Sequence, residues 1–365
     1  MATKGKAAVV VDDKKMEIQE FDLPKIGPED ALIKLELTGI CGSDIGIYSG
    51  KFKILGIKYP LIMGHEILGR IVEIGAKASE LYQAKVGDRV IVEAFVPCGK
   101  CKLCLTGNYR ICDKGIGYGA SVTSDTPPHL WGGYGEYMYV NPGSIVHRID
   151  QDIPAEEAVL AASALANGIR FVRELGQVTI GDRVLIQGAG QMGLVSTIAA
   201  HEAGAASIMI TGLTRDKDRF ALAKEFGATH TINVEKENPI ERVREITNGE
   251  MADVVIDTTG VPEAVAQSIQ AVRKLGTVVS IGLTGFKPIP NFISDLIVMN
   301  ELRFQGGRSC DFRAVIPAIR LVAAKKYPLK KMVTHRYPLE QAETGVRALA
   351  GEIEGEYPIK VVITP

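Results

Sequence analysis

Four of the six cysteines in this 365-residue chain fall in one short stretch, Cys98-x2-Cys101-x2-Cys104-x7-Cys112. Thiolates at such spacing suit a closed, tetrahedral, structural zinc site. Gly99, Gly107 and Asn108 supply the turns that gather the sulfurs. A zinc ribbon on nucleic acid is a second use of such a cluster, but the local cations Lys100, Lys102 and Arg110 are too few for it. A second group is Cys41-Gly42-Ser43-Asp44 together with Gly64-His65-Glu66. Thiolate, imidazole and carboxylate leave a fourth zinc position open for water or substrate, the pattern of a catalytic site. Asp44 is suited to orient His65 through its other ring nitrogen. Taken singly, His65 also reads as a structural histidine and Cys41 as a small buried hydrophobe. The third group is Gly188-Ala189-Gly190-Gln191-Met192-Gly193. Its glycines suit a tight turn, close approach of a pyrophosphate, and helix–strand packing.

These groups need scaffolding, and the rhythm of the sequence changes between them. The first part carries short β-prone runs at residues 7–11, 31–37, 89–93 and 136–140, separated by turn signals such as Gly27-Pro28 and Asn141-Pro142-Gly143. From about Pro154, short apolar strands alternate with helical patterns. Strands are expected at 183–187, 207–211, 254–257 and 277–281, and helices at 192–203, 217–226 and 262–275. That alternation argues for an α/β, doubly wound parallel sheet of Rossmann type. A helix at 313–325 and a strand at 359–363 follow. The tail from Glu301 does not extend the α/β rhythm and is expected to return to the first domain. The expected organisation is residues 1–154 with 298–365 as one discontinuous domain and 155–297 as the dinucleotide-binding domain.

Lys plus Arg total 42 and Asp plus Glu 43, a net charge of −1, which gives no reason to expect a nucleic-acid or membrane-surface partner. Hydrophobic residues at 46% suit a globular chain with a sizeable core. Neither a signal-peptide segment nor a membrane-spanning run is read, so a cytoplasmic location is expected. Clustered cysteines in a reducing compartment also favour metal over disulfides.

The cofactor's ribose partner is expected roughly twenty residues after the glycine turn. The strand there ends at Gly212, with no carboxylate. Arg215 and Lys217 follow and suit a 2′-phosphate, whereas Asp216 and Asp218 suit ribose hydroxyls. The balance tilts to NADP with NAD left open. Thr258 and Gly282, at the ends of later strands, are expected beside the cofactor or as plain turns.

The motifs Cys41-Gly-Ser-Asp44, Gly64-His-Glu66, the four-cysteine lobe, Gly132-Gly-Tyr-Gly-Glu136 and Gly188-x-Gly190-x-x-Gly193 occur in this order. Together they resemble the zinc-containing medium-chain alcohol dehydrogenases, especially the sorbitol and threonine dehydrogenase branch, over nearly the whole chain. The resemblance implies a β-rich, GroES-like catalytic domain with a structural zinc lobe, plus the Rossmann domain. It implies two zinc ions, a catalytic one on Cys41, His65 and Glu66 and a structural one on Cys98, Cys101, Cys104 and Cys112. Ser43 would take the substrate proton. NAD or NADP would exchange hydride with a secondary alcohol, either a polyol, a sugar or a cyclic alcohol. Relatives are dimers or tetramers, so a homo-dimer or homo-tetramer is expected. The chain departs from the pattern at Ser163, where many relatives carry a further ligand or a water-holding Glu, and at Gly46, where many carry a proton-relaying histidine. Tyr48 is expected either to take over that relay or to line the substrate pocket. Trp131, the only tryptophan, is expected in that pocket or in a surface loop. A zinc-free reductase of activated double bonds and a non-catalytic nucleotide-binding protein are the alternatives.

Overall fold

The computed structural model describes residues 3–365 and divides into two compact units, Met1–Ser163 with Ala318–Pro365, and Ala164–Pro317. In the first unit a seven-stranded sheet runs in the order Val146–Arg148, Arg89–Val92, Glu66–Ile74, Ala31–Gly39, Lys360–Thr364 and Val333–Pro338, with Tyr137–Val140 also paired to Ala31–Gly39. A three-stranded sheet joins Lys15–Asp22, Lys4–Asp12 and Leu61–Ile62. The Ala31–Gly39 strand is buried at eight of its nine positions or nearly so, because it packs on both faces. Antiparallel pairing sets Gly39 opposite Glu66 on one side and Val362 on the other. The core behind these strands is built from Val9, Val10, Ile33, Leu35, Ile62, Met63, Ile67 and Val92, among others.

The second unit holds a six-stranded parallel sheet in the order His230–Asn233, Ser207–Gly212, Arg183–Gln187, Ala252–Asp257, Val272–Ser280 and Arg303–Gly306. Counted within the unit this is 3-2-1-4-5-6, the doubly wound dinucleotide-binding order. Its central strands carry unbroken apolar runs such as Val184-Leu185-Ile186, because helices cover both faces.

Two expectations shift. The strand Arg303–Gly306 pairs in parallel with Val272–Ser280, so the α/β rhythm continues past residue 301 and does not stop at 297. Its residues are all exposed, so it carries no continuous apolar run. The helix starting at Pro262 ends at Ala271, not 275, because the strand Val272–Ser280 begins there and Leu275 adopts a positive φ. Among the described residues no helix is long and apolar enough to cross a membrane.

Candidate functional site

Cys41 is the N-cap of a short helix, Gly42–Tyr48, and Asp44 Oδ2 accepts a 2.8 Å hydrogen bond from the Cys41 N–H. The Cys-Gly-Ser-Asp motif is therefore a capping arrangement that fixes the thiol at a helix start. His65 and Glu66 come from the next segment, where Gly64 has a φ of +92° and a Cβ would sit 2.5 Å from the Tyr134 ring. Only glycine admits that backbone so close to the tyrosine. The Gly132–Glu136 stretch runs alongside, with Gly133 N–H donating to Gly64 O and Tyr134 N–H to Met63 O.

The structure brings one ligand atom each of Cys41, His65 and Glu66 within 4.8 Å of one another. His65 Nδ1 stands 3.4 Å from Asp44 Oδ1, and Ser43 Oγ is 3.5 Å from His65 Nε2. Tyr134, fully buried, donates to Asp44 Oδ2 at 3.0 Å. Burial works against a charged His65 ring, but Asp44 and Cys41 outweigh it and hold the imidazole well above its usual value. Desolvation first, and then Asp44, push the Tyr134 phenol far up, so it remains a donor. A pocket that stabilises positive charge between thiol, imidazole and carboxylate fits a divalent cation. Asp44 Oδ1, buried and facing His65 Nδ1 at 3.4 Å, is placed to orient the ring of a ligating histidine.

In the cysteine lobe the Sγ atoms of Cys101 and Cys104 lie 3.5 Å apart, Cys101 and Cys112 3.7 Å, and Cys98 and Cys104 3.9 Å. A tetrahedron with metal–sulfur bonds near 2.3 Å has edges of about 3.8 Å, whereas a disulfide would need about 2 Å. The backbone N–H groups of Lys100 and Cys101 pull the Cys98 thiol down to about 6, and burial pushes Cys104 up to about 12. The lobe is tied to the sheet by Glu93. This buried carboxylate accepts from Tyr109 Oη at 2.6 Å and contacts His147 Nε2 at 2.7 Å.

In the α/β unit the three glycines of the turn meet different surroundings. Gly188 has a φ of +96°, Gly190 faces open space, and a Cβ on Gly193 would collide with Gly188 O. Gly190 caps the helix Gln191–Glu202, and Gln191 Oε1 is buried without a partner. Met192 lies in the first turn of that helix. Open space over a helix N-terminus fits a pyrophosphate. Thr258 Oγ1 donates to Gln187 O at 2.7 Å, and Gly282 packs against Gly260, so both later loops have a packing role of their own. After Gly212, Asp216 is turned inward: its carboxylate accepts from Leu213 N–H at 2.8 Å and from Arg219 at 3.0 Å. Arg215 sits in the same short turn, Thr214–Asp216.

The remaining residues singled out in the sequence are placed as follows. Tyr48 is buried, and its hydroxyl lies within hydrogen-bond distance of Lys14 O at 3.0 Å and Glu343 Oε1 at 2.9 Å. Trp131 is a core residue: its Nε1 donates to Thr126 O and its ring meets Tyr139 edge-on. A Cβ at Gly46 would stand 2.6 Å from the Phe52 ring, so a larger residue there requires that ring to move. Ser163 ends the helix Ala155–Ala162 as its C-cap. Among the described residues, Cys41, His65 and Glu66 form their cluster without a fourth Cys, His, Asp or Glu. Sequence reasoning missed Tyr134, Glu93 and Lys360. A lone lysine in the apolar run 359–363 was the one available signal for the last.

A family model for the alcohol dehydrogenase GroES-like domain matches residues 27–151, and a model for zinc-binding dehydrogenases matches residues 192–324. The chain is 38% identical to a Mycobacterium tuberculosis (strain CDC 1551 / Oshkosh) protein named probable alcohol dehydrogenase, over 99% of this chain and 98% of that one. It is 33% identical to sorbitol dehydrogenase of Gallus gallus, over 94% and 93% of the two chains. A crystal structure from Sinorhizobium meliloti 1021, designated a zinc-binding dehydrogenase and bound to NADP, superposes with a TM-score of 0.87 over 100% of both chains at 26% identity.

Proposed function

This chain belongs to the zinc-type medium-chain dehydrogenases, and from that premise we propose that it reversibly oxidises a secondary alcohol to a ketone with a nicotinamide dinucleotide. The observation that carries the reading is the convergence of Cys41, His65 and Glu66 within 4.8 Å. These three would hold a catalytic zinc, with His65 Nε2 as the ring atom left over once Nδ1 faces Asp44. Cys98, Cys101, Cys104 and Cys112 would hold a second, structural zinc. When bound, the cation supplies Lewis-acid polarisation of the alcohol oxygen and the dinucleotide takes up hydride. Ser43 Oγ would take the proton that leaves the alcohol while passing its own on to solvent water, and Asp44 would fix the tautomer and orientation of His65. Asp44 is itself held by Tyr134 and the Cys41 N–H.

The substrate class is a polyol, sugar or cyclic secondary alcohol, in keeping with the sorbitol dehydrogenase likeness. The turn from Gly188 to Gly193 cradles the pyrophosphate, with Gln191 and Met192 in the first helical turn. NADP is favoured over NAD, because Gly212 carries no carboxylate and Asp216 is spent on Leu213 and Arg219. Arg215 is the cation of that turn. A second copy of the chain is the expected partner, through the terminal strand Arg303–Gly306. A reducing, cytoplasmic setting suits a cysteine cluster that holds metal rather than disulfides.

The test is a panel of polyols and cyclic alcohols assayed with NAD and with NADP by nicotinamide absorbance, beside a Cys41→Ala variant. Turnover that disappears in Cys41→Ala while dinucleotide binding persists supports the reading. Wild-type turnover in that variant overturns it.

A further inference from the structure

Lys360 is fully buried, with none of its surface exposed, and so is Glu66 at 1%. Lys360 Nζ donates to Glu66 Oε2 at 2.5 Å and to Ile40 O at 2.9 Å, the carbonyl just before Cys41. The two side chains come from strands that flank the same central strand, Ala31–Gly39, on opposite sides. They meet across Gly39, where a Cβ would collide with Glu66 Oε2 and stand 2.8 Å from Lys360 Cε. One carboxylate therefore faces an ammonium and also contributes to the cluster with Cys41 and His65.

We infer that Lys360 is a resident competitor for Glu66, a positioning residue that keeps this carboxylate a shared and exchangeable ligand of the cation. A carboxylate in a short charge-assisted hydrogen bond has already given part of its electron density to the donor. A buried ammonium also repels a dication nearby, and the interior screens that repulsion poorly. Both effects loosen the hold of Glu66 on a cation without removing it. A lysine that merely braced the fold would act the other way, since its loss would free Glu66 to wander and the metal would leave sooner. The inference rests on the reading that Cys41, His65 and Glu66 bind zinc.

The experiment follows zinc release from the holoenzyme to an excess of chromogenic chelator. The phase that is missing in Cys41→Ala marks the metal of this site and separates it from that of the cysteine lobe. Lys360→Met is expected to slow that phase about tenfold, a change as large as the smaller effects of groups behind metal ligands but opposite in sign. Lys360→Arg restores the wild-type rate, and in a Glu66→Gln background Lys360→Met changes nothing. Release that is unchanged or faster in Lys360→Met overturns the inference. Should Lys360→Met fail to accumulate as folded protein, the neutral but hydrogen-bonding Lys360→Gln is expected to slow the same phase, and unchanged or faster release in it is equally fatal. A wild-type enzyme with no Cys41-dependent phase would instead overturn the zinc reading itself.

Discussion

Tyr134 shows how far a single hydroxyl can reach. It donates to Asp44 Oδ2, and Asp44 faces His65 and caps Cys41, so one phenol sets two members of the cluster. Groups that support a ligand from behind govern its orientation and basicity. Tyr134→Phe keeps the ring that packs against Gly64 and removes only the donor. The expected outcome is about tenfold weaker retention of the Cys41-site metal with a loss of about 1 kcal/mol in stability. Zinc content after dialysis against graded chelator, beside a denaturant titration, measures both. Retention equal to wild type would break the chain of influence from Tyr134 through Asp44 to His65.

At the level of elements, the parallel sheet is braced at one end by Asp253, which takes hydrogen bonds from Arg183 Nε at 2.9 Å and Arg273 Nε at 2.5 Å. Burial works to raise this carboxyl, but the two guanidinium groups outweigh it and hold it at about 2, below the ordinary 3.8. A depressed carboxyl stabilises the fold while ionised. That contribution is complete above the ordinary value and drains away as pH falls through about 2. Asp253→Asn is therefore expected to cost on the order of 1–2 kcal/mol near neutrality, after discounting for solvent screening. The cost should shrink as pH drops below 3.8 toward 2. Urea midpoints of variant and wild type across that range check it, and a pH-independent gap would show that the ion pairs are not its source.

For the whole molecule, the six-stranded sheet ends at Arg303–Gly306, whose four residues are exposed. Just before it, Val298 and Met299 are 76% and 79% exposed. An edge strand beside bare apolar side chains invites pairing, and a strand that meets its own copy antiparallel closes a two-fold dimer. The wild-type protein is expected to sediment as a dimer or a dimer of dimers at micromolar concentration. Phe304→Lys is expected to shift it toward monomer while leaving dinucleotide binding in place. A monomeric wild-type protein would remove this edge as an interface.

The candidate site residues were legible because ligand spacing and glycine turns are local. Cys98 to Cys112, Cys41 with Asp44, His65 with Glu66, and Gly188 to Gly193 each lie within one turn, lobe or cap, and chain geometry alone confines them. The alternating rhythm of residues 183–281 likewise announced a parallel sheet, since strands covered on both faces must be apolar throughout. What the linear pattern left open were the partners brought together across long separations. Lys360 meets Glu66, Tyr134 meets Asp44, Tyr48 turns to Glu343, and Phe52 fills the space over Gly46. Those contacts depend on strand order and packing, which the chain settles only once its backbone hydrogen bonds and core volumes are satisfied together.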